Sequence, residues 1–102
     1  MVRLTALYPA GPDTQFDHDY YEGKHRELVR DRLTPLGLIK IEMERNLAGF
    51  GGGPASYVAC GQLYFPSLGD LEAGFGAHGA ELIGDIANFS NVQPVVHIGT
   101  VS

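Results

Sequence analysis

The order in which two hydrophobic periodicities alternate along the chain limits its fold more than any other feature. Residues 2–8 are rich in side chains that favour a strand. Thr14 and Asp17 then resemble a capping box, and we expect the helix that they begin to continue to Leu33 and to end before the next proline. The first third of the chain therefore predicts a strand followed by a helix.

The middle of the chain predicts a β-hairpin. From Leu38 to residue 44 apolar and polar residues alternate, so that Ile39, Ile41 and Met43 share the face expected to be buried. Residues 49–54 are rich in glycine and predict a turn, and residues 56–65 predict the returning strand. The glycines of this turn are not a phosphate-binding loop, because no lysine and no helix follow them.

The last third of the chain predicts a second helix and a last strand. Ser67 and Asp70 resemble a second capping box, and residues 92–101 are rich in valine. One side of the helix between them is apolar, through Leu68, Leu71, Phe75, Leu82, Ile86 and Phe89. The order strand, helix, strand, strand, helix, strand predicts one α+β domain over residues 1–102 with a ferredoxin-like βαββαβ fold, a four-stranded antiparallel sheet with both helices on one face. The opposite face would be bare, so we expect a second copy of the chain to pack against it.

Charge and composition exclude several partners and locations. Seven Lys and Arg against twelve Asp and Glu give a formal net charge of -5 without any basic run, which argues against nucleic acids and anionic membranes as partners. No apolar stretch approaches the roughly 20 residues of a membrane span, and the N-terminal residues do not resemble a signal peptide. We interpret the one cysteine, Cys60, as a small buried hydrophobe in a cytoplasmic protein.

The first predicted helix carries an ionisable side chain among residues that should face inward. At about 100° per residue, Tyr21, His25, Leu28 and Arg32 lie on one side of this helix. An imidazole can accept or give a proton near neutrality, and a tyrosine one turn earlier can orient it or donate to a developing oxyanion. His25 can equally be interpreted as a structural core residue, bonded to a backbone carbonyl or to a tyrosine, and not as a proton-transfer residue.

Other polar residues are weaker candidates. Tyr20 points about 100° away from Tyr21 and is expected to pack with Phe16. Arg32 can hold an anionic group or simply complement the helix dipole. His97 lies in the last strand, where its direction is undecided, and it becomes a second proton carrier only if it faces the ligand.

The sequence does not favour a metal or a haem. His18 and His25 are two helical turns apart, roughly 10 Å of rise, too far for both to bind one metal ion. His78 lies at the edge of the apolar stripe and is interpreted as a surface residue. A single histidine without a Cys-x-x-Cys-His motif gives little support for haem. We therefore expect no metal and no organic cofactor.

Several short strings, in this order and spacing, resemble the EthD family of the dimeric α/β-barrel group. They are Phe16, Tyr20, Tyr21 and His25 in the first helix, Leu36-Gly37-Leu38, residues 63–67, and Asp85 through Asn88-Phe89. The resemblance implies a homodimeric barrel with a cavity between the sheet and the helices of each subunit. EthD itself is associated with bacterial degradation of ethyl tert-butyl ether. The wider group includes polyketide cyclases, cofactor-free monooxygenases, muconolactone isomerases and haem-binding enzymes, so the fold alone does not select a reaction.

These observations together predict an EthD-like homodimer that binds a small hydrophobic or aromatic ligand beside its first helix. The candidate ligand-binding residues are Tyr20, Leu28, Arg32 and His97. Any reaction is expected to be proton transfer on a carbonyl compound without a cofactor, with His25 as the base and Tyr21 as the hydrogen-bond donor. Two alternatives stay open: an accessory or sequestering protein that supports an oxygenase pathway, and a purely structural dimer without a cavity.

Overall fold

One four-stranded antiparallel sheet organises the computed structural model, which describes residues 1–102. Its strands are β1 (Val2–Pro9), β2 (Lys40–Arg45), β3 (Tyr57–Phe65) and β4 (Val95–Thr100), in the spatial order β2-β3-β1-β4. The long central strands β1 and β3 pair from Val2 opposite Phe65 to Pro9 opposite Tyr57. The edge strands β2 and β4 pair with β3 and β1 respectively. This sheet and its helices confirm the predicted ferredoxin-like α+β fold.

The first helix is a composite of three segments. They are α1 (His18–Tyr20), a π-helical turn (Tyr21–His25) and α2 (Arg26–Leu33), and a 3-10 turn (Thr34–Leu36) follows them. A π-helical turn inside an α-helix widens the helix locally and is frequent at functional sites. Here it contains both Tyr21 and His25, the two residues that the sequence singles out as catalytic candidates.

The first helix begins later than the sequence predicts. Asp17 is its N-cap, since the side chain of Asp17 accepts a hydrogen bond from the N–H of Tyr20 at 3.0 Å. The hydroxyl of Thr14 instead donates to the carbonyl of Pro9 at 3.1 Å. The prediction of a cap at Thr14 was therefore wrong, because Thr14 ties the turn after β1 to its own strand.

The second helix, α3 (Leu68–Gly84), begins where the sequence predicts. The hydroxyl of Ser67 accepts a hydrogen bond from the N–H of Asp70 at 3.2 Å, and a 3-10 turn (Asp85–Asn88) follows the helix. Gly74 lets α3 approach the first helix closely, because a Cβ at this position would lie 3.2 Å from the side chain of Leu33.

Both helices pack on the same face of the sheet and bury two apolar clusters there. The first cluster joins the helices to one end of the sheet through Val29, Leu33, Leu38, Leu63, Phe65, Leu71 and Leu82. The second, at the other end, contains Tyr8, Tyr21, Ala59, Ile86 and Phe89. On the edge strand β2, Ile41 and Met43 are half-buried as expected, whereas Ile39 precedes the strand and is 53% exposed. The space between the two clusters is where the candidate site lies.

Candidate functional site

A cavity of about 340 Å³ lies between the first helix, α3 and the sheet. Its wall is mainly aliphatic and aromatic, and its polar side chains are those of His25, Tyr21 and Gln93. The residues that line it are Leu4, Ala6, Tyr21, His25, Val29, Met43, Gly61, Leu63, Phe75, Leu82, Ile83, Ile86, Gln93, Pro94 and Val96. A mostly apolar cavity with a few convergent polar groups is the usual form of a small-molecule site.

His25 is held at the wall of this cavity by aromatic rings. It is 7% exposed, and its ring lies nearly parallel to that of Tyr21, with the centroids 5.6 Å apart. Phe89 covers another side of the imidazole at 4.6 Å between centroids. The sequence-based prediction that this histidine faces inward beside a cavity agrees with this geometry.

A carboxylate from the 3-10 turn that follows α3 contacts the imidazole of His25. The Nδ1 atom of His25 lies 2.8 Å from Oδ2 of Asp85, whose side chain is 12% exposed. The second oxygen of Asp85 accepts hydrogen bonds from the hydroxyl of Tyr20 at 2.8 Å and from the amide of Asn88 at 2.9 Å. Partial burial by itself would raise the pKa of this carboxyl, but the bonds from Asn88, His25 and Tyr20 together hold the pKa of Asp85 below its ordinary value. The side chain is therefore ionised at neutral pH.

Tyr21 supplies a neutral hydroxyl beside the imidazole. Burial, and then the neighbouring phenol of Tyr8, raise the pKa of Tyr21 far above its ordinary value, so it remains a hydrogen-bond donor at any physiological pH. Its hydroxyl lies against the backbone of Gly61, where any side chain would overlap it. The glycine in β3 thus makes room for the tyrosine at the cavity wall.

The other predicted site residues lie outside the cavity. Tyr20 bonds to Asp85 and stacks on Phe89, with the ring centroids 6.1 Å apart. Leu28 is half-buried against the first apolar cluster. Arg32 is paired with Glu81 on the surface, at 2.8 Å between Nε and Oε1. Of the candidate ligand-binding residues, only Tyr20 contacts Asp85, the carboxylate that bonds to His25.

His97 faces away from the cavity. It pairs with Thr5 in the sheet, whereas the neighbouring pair Ala6 and Val96 lines the cavity. Because successive side chains of a strand point to opposite faces, His97 lies on the face of the sheet that the helices leave uncovered. His97 therefore provides no second proton carrier within this cavity.

Asp85 was not predicted as a site residue, although its carboxylate contacts the imidazole of His25 directly. The two residues are 60 positions apart, so no local periodicity connects them. The available signal was the string from Asp85 to Phe89, which was noticed only as part of the family resemblance. Met43, which also lines the cavity, was predicted only as a buried residue of its strand, and Gln93 carried no signal in the sequence.

The ionised carboxyl predicts how stability depends on pH. The folded-state pKa of Asp85 is below its ordinary value, so its contribution is complete above the unfolded value, about 4, and is lost as the pH falls through the folded value. We expect urea unfolding at decreasing pH below about 4 to show a falling free energy of unfolding, with a shallower fall for Asp85→Asn. Asp13→Asn, on an exposed turn, is the control and should keep the wild-type slope. Equal slopes for Asp85→Asn and the wild type would contradict the assignment.

Nowhere do three His, Cys, Asp or Glu side chains converge as the ligands of a metal ion would. None of the helices has both the length and the apolar character needed to cross a bilayer.

Solved structures of related proteins share this fold. An EthD-like protein from Ralstonia eutropha JMP134 is 34% identical, with a TM-score of 0.90 over 98% of this chain and 90% of its own. An ethyl tert-butyl ether d (EthD) family protein from Bacillus halodurans C-125 is 21% identical, with a TM-score of 0.78 over 100% of this chain and 99% of its own. A dimeric ferredoxin-like protein of unknown function from Thermobifida fusca YX is 15% identical, with a TM-score of 0.55 over 98% of this chain and 90% of its own.

The family itself is recognised over most of the chain. No curated protein matches the chain. The family model described as the EthD domain, however, matches residues 10–93, a range that includes the π-helical turn, His25 and Asp85. The chain therefore belongs to the EthD family.

Proposed function

We propose that the protein binds a small hydrophobic or aromatic ligand in the cavity beside the first helix and that His25 moves a proton on a carbonyl compound held there. The observation that carries the proposal is a buried imidazole in the wall of a 340 Å³ cavity that is otherwise mainly apolar. Such a wall favours a ligand that is mostly apolar. The imidazole of His25 and the hydroxyl of Tyr21 lie side by side and favour a single polar, reactive group at one end of that ligand.

The proposed reaction needs only residues of this chain. His25, as the base, removes a proton from the carbon next to the carbonyl, and the electrons of that C–H bond move to the carbonyl oxygen. The hydroxyl of Tyr21 donates a hydrogen bond to the enolate oxygen that forms. The imidazolium then returns a proton to carbon. Return to the same carbon gives hydrogen exchange with solvent, and return to another carbon gives an isomerisation.

Ligand binding is tested first with N-phenyl-1-naphthylamine, an apolar fluorophore. We expect the wild type to enhance its fluorescence and Ala6→Phe, which fills the cavity from β1, to weaken the affinity at least about tenfold. Ala48→Phe, on an exposed loop, is the matched control and should bind like the wild type. Equal affinities for all three proteins would contradict a ligand site in the cavity.

Proton transfer is tested by deuterium exchange at the carbon next to the carbonyl of 2-tetralone in D2O, followed by NMR. We expect the wild type to accelerate the exchange and His25→Asn to lose roughly 10²-fold or more, as for other general bases. Circular dichroism checks that the variant is folded. The same exchange rate in wild type and His25→Asn would end the proposal that His25 is a base.

A non-catalytic role is the alternative that one observation favours. The cavity has few polar groups beyond His25 and Tyr21, which suits sequestration of an apolar compound for a partner oxygenase, for example in ether degradation. Fluorophore binding in the cavity without any acceleration of exchange would support this accessory function.

We also propose that the protein is a homodimer that associates through the face of the sheet opposite the helices. Apolar Leu7 and Val95 lie on this face among polar side chains such as those of Gln62 and His97, and every residue of β4 is exposed. Sedimentation at tens of micromolar should find a dimer, and a monomer would contradict this arrangement. We also propose a cytoplasmic location, because a free thiol such as that of Cys60 suits the reducing cytosol.

A further inference from the structure

We propose that Asp85 is a positioning residue that selects the tautomer of His25, holding the proton on Nδ1 and leaving the lone pair of Nε2 available to a ligand in the cavity. This inference rests on the proposed function, since it explains how the imidazole would be prepared as a base. It concerns a residue that does not line the cavity itself.

The contact that selects the tautomer is the one between Nδ1 of His25 and Oδ2 of Asp85, at 2.8 Å. An ionised carboxylate can only accept hydrogen bonds, so the ring nitrogen that faces it must carry a hydrogen. A neutral imidazole has one N–H, and with that hydrogen on Nδ1 the Nε2 atom is the acceptor. No protein group bonds to Nε2 of His25.

The carboxylate of Asp85 is itself held in place by two further hydrogen bonds. Its Oδ1 accepts from Tyr20 on α1 at 2.8 Å and from Asn88 on the 3-10 turn at 2.9 Å. These two donors leave Oδ2 as the oxygen that faces the imidazole. Tyr20 and Asn88 therefore act on His25 through Asp85, although neither of them lines the cavity.

The same hydrogen bonds predict the opposite tautomer of His25 when the carboxylate of Asp85 is replaced by an amide. In Asp85→Asn, the single side-chain oxygen should turn towards the hydroxyl of Tyr20 and the amide of Asn88, because this orientation keeps the two hydrogen bonds that Oδ1 accepts in the wild type. The new NH2 group then faces Nδ1 of His25, which must accept, so the ring proton moves to Nε2. The nitrogen needed as the base is then protonated.

The test reads the tautomer directly, by two-bond 15N–1H correlation NMR of the His25 ring in uniformly 15N-labelled protein above the pH at which histidines are charged. In the wild type we expect Nδ1 to be the protonated nitrogen. In Asp85→Asn we expect the ratio of the two tautomers to change at least about tenfold towards the Nε2–H form. His18, His78 and His97 give internal controls in the same spectrum and should not change.

Two results would overturn the inference: an Nε2–H tautomer in the wild type, or an Nδ1–H tautomer that persists in folded Asp85→Asn. If Asp85→Asn does not fold, the wild-type spectrum alone decides. The 2-tetralone assay adds a second readout, in which Asp85→Asn should lower the rate at saturating ketone and leave the half-saturating concentration unchanged. Since the NMR measurement needs no turnover, failure of the proton-transfer proposal leaves the tautomer result standing, and the two failures are distinguishable.

Discussion

Replacing Phe65 by alanine is expected to lower the free energy of unfolding by about 3–5 kcal/mol, a large fraction of the roughly 5–15 kcal/mol of a typical domain. Phe65 ends β3, is 0% exposed and belongs to the cluster that joins both helices to the sheet. Its ring lies 3.7 Å from the place where a Cβ of Gly74 would be, so the close approach of α3 depends on it. The space left by the ring cannot be filled without moving a helix.

Urea unfolding followed by circular dichroism measures this loss. Phe50→Ala is the matched control, because Phe50 lies fully exposed at the tip of the hairpin loop, and it should change the free energy of unfolding by less than about 0.5 kcal/mol. A loss below about 1 kcal/mol for Phe65→Ala would contradict the central position that the structure gives this ring.

Gly61→Ala is expected to lower the free energy of unfolding by about 1–3 kcal/mol and to disturb the candidate site at the same time. A Cβ on Gly61 would overlap the hydroxyl of Tyr21, so the buried ring of Tyr21 must shift from its position in the cavity wall. Because the imidazole of His25 stacks on this ring, we expect the displacement to reach His25. Urea unfolding measures the first effect and the affinity for N-phenyl-1-naphthylamine the second.

Two companion variants separate this overlap from the ordinary effect of replacing a glycine by alanine. Gly53→Ala, in the hairpin loop, places its methyl group in open space and should leave both measurements near those of the wild type. In a Tyr21→Phe background the hydroxyl is gone and the nearest ring carbon is 3.3 Å from the new Cβ, so Gly61→Ala should cost less there. Equal costs in the two backgrounds would show that the overlap is not the cause.

Much of the fold follows from local patterns that need no tertiary information. The alternation through Ile41 and Met43, the cap at Ser67 and the apolar stripe of α3 depend on residues a few positions apart, and they locate strands and helices correctly. The start of the first helix could not be predicted in this way, because Thr14 and Asp17 both fit a cap. Only their hydrogen bonds in the folded chain distinguish them, since Asp17 accepts from the N–H of Tyr20 whereas Thr14 donates to the carbonyl of Pro9.

The candidate site, like the fold, was predicted from the sequence only in part. The spacing of Tyr21 and His25 on one side of a helix predicted an inward imidazole, and the cavity beside it agrees. The spacing also grouped Arg32 with them, but Arg32 finds Glu81 on the neighbouring helix, a pairing across 49 positions that helical periodicity does not encode. The π-helical turn also changes the direction in which the following side chains point, relative to a regular α-helix. No signal in the sequence predicted this turn.

The sequence by itself determined the order of strands and helices and the inward direction of His25, because hydrophobic periodicity is a property of neighbouring residues. Only the tertiary structure decided which face of the sheet His97 occupies and which carboxylate meets the imidazole. Those outcomes depend on strand register and on the packing of α3 against the first helix, which bring Asp85 to within 2.8 Å of His25 across 60 positions of chain.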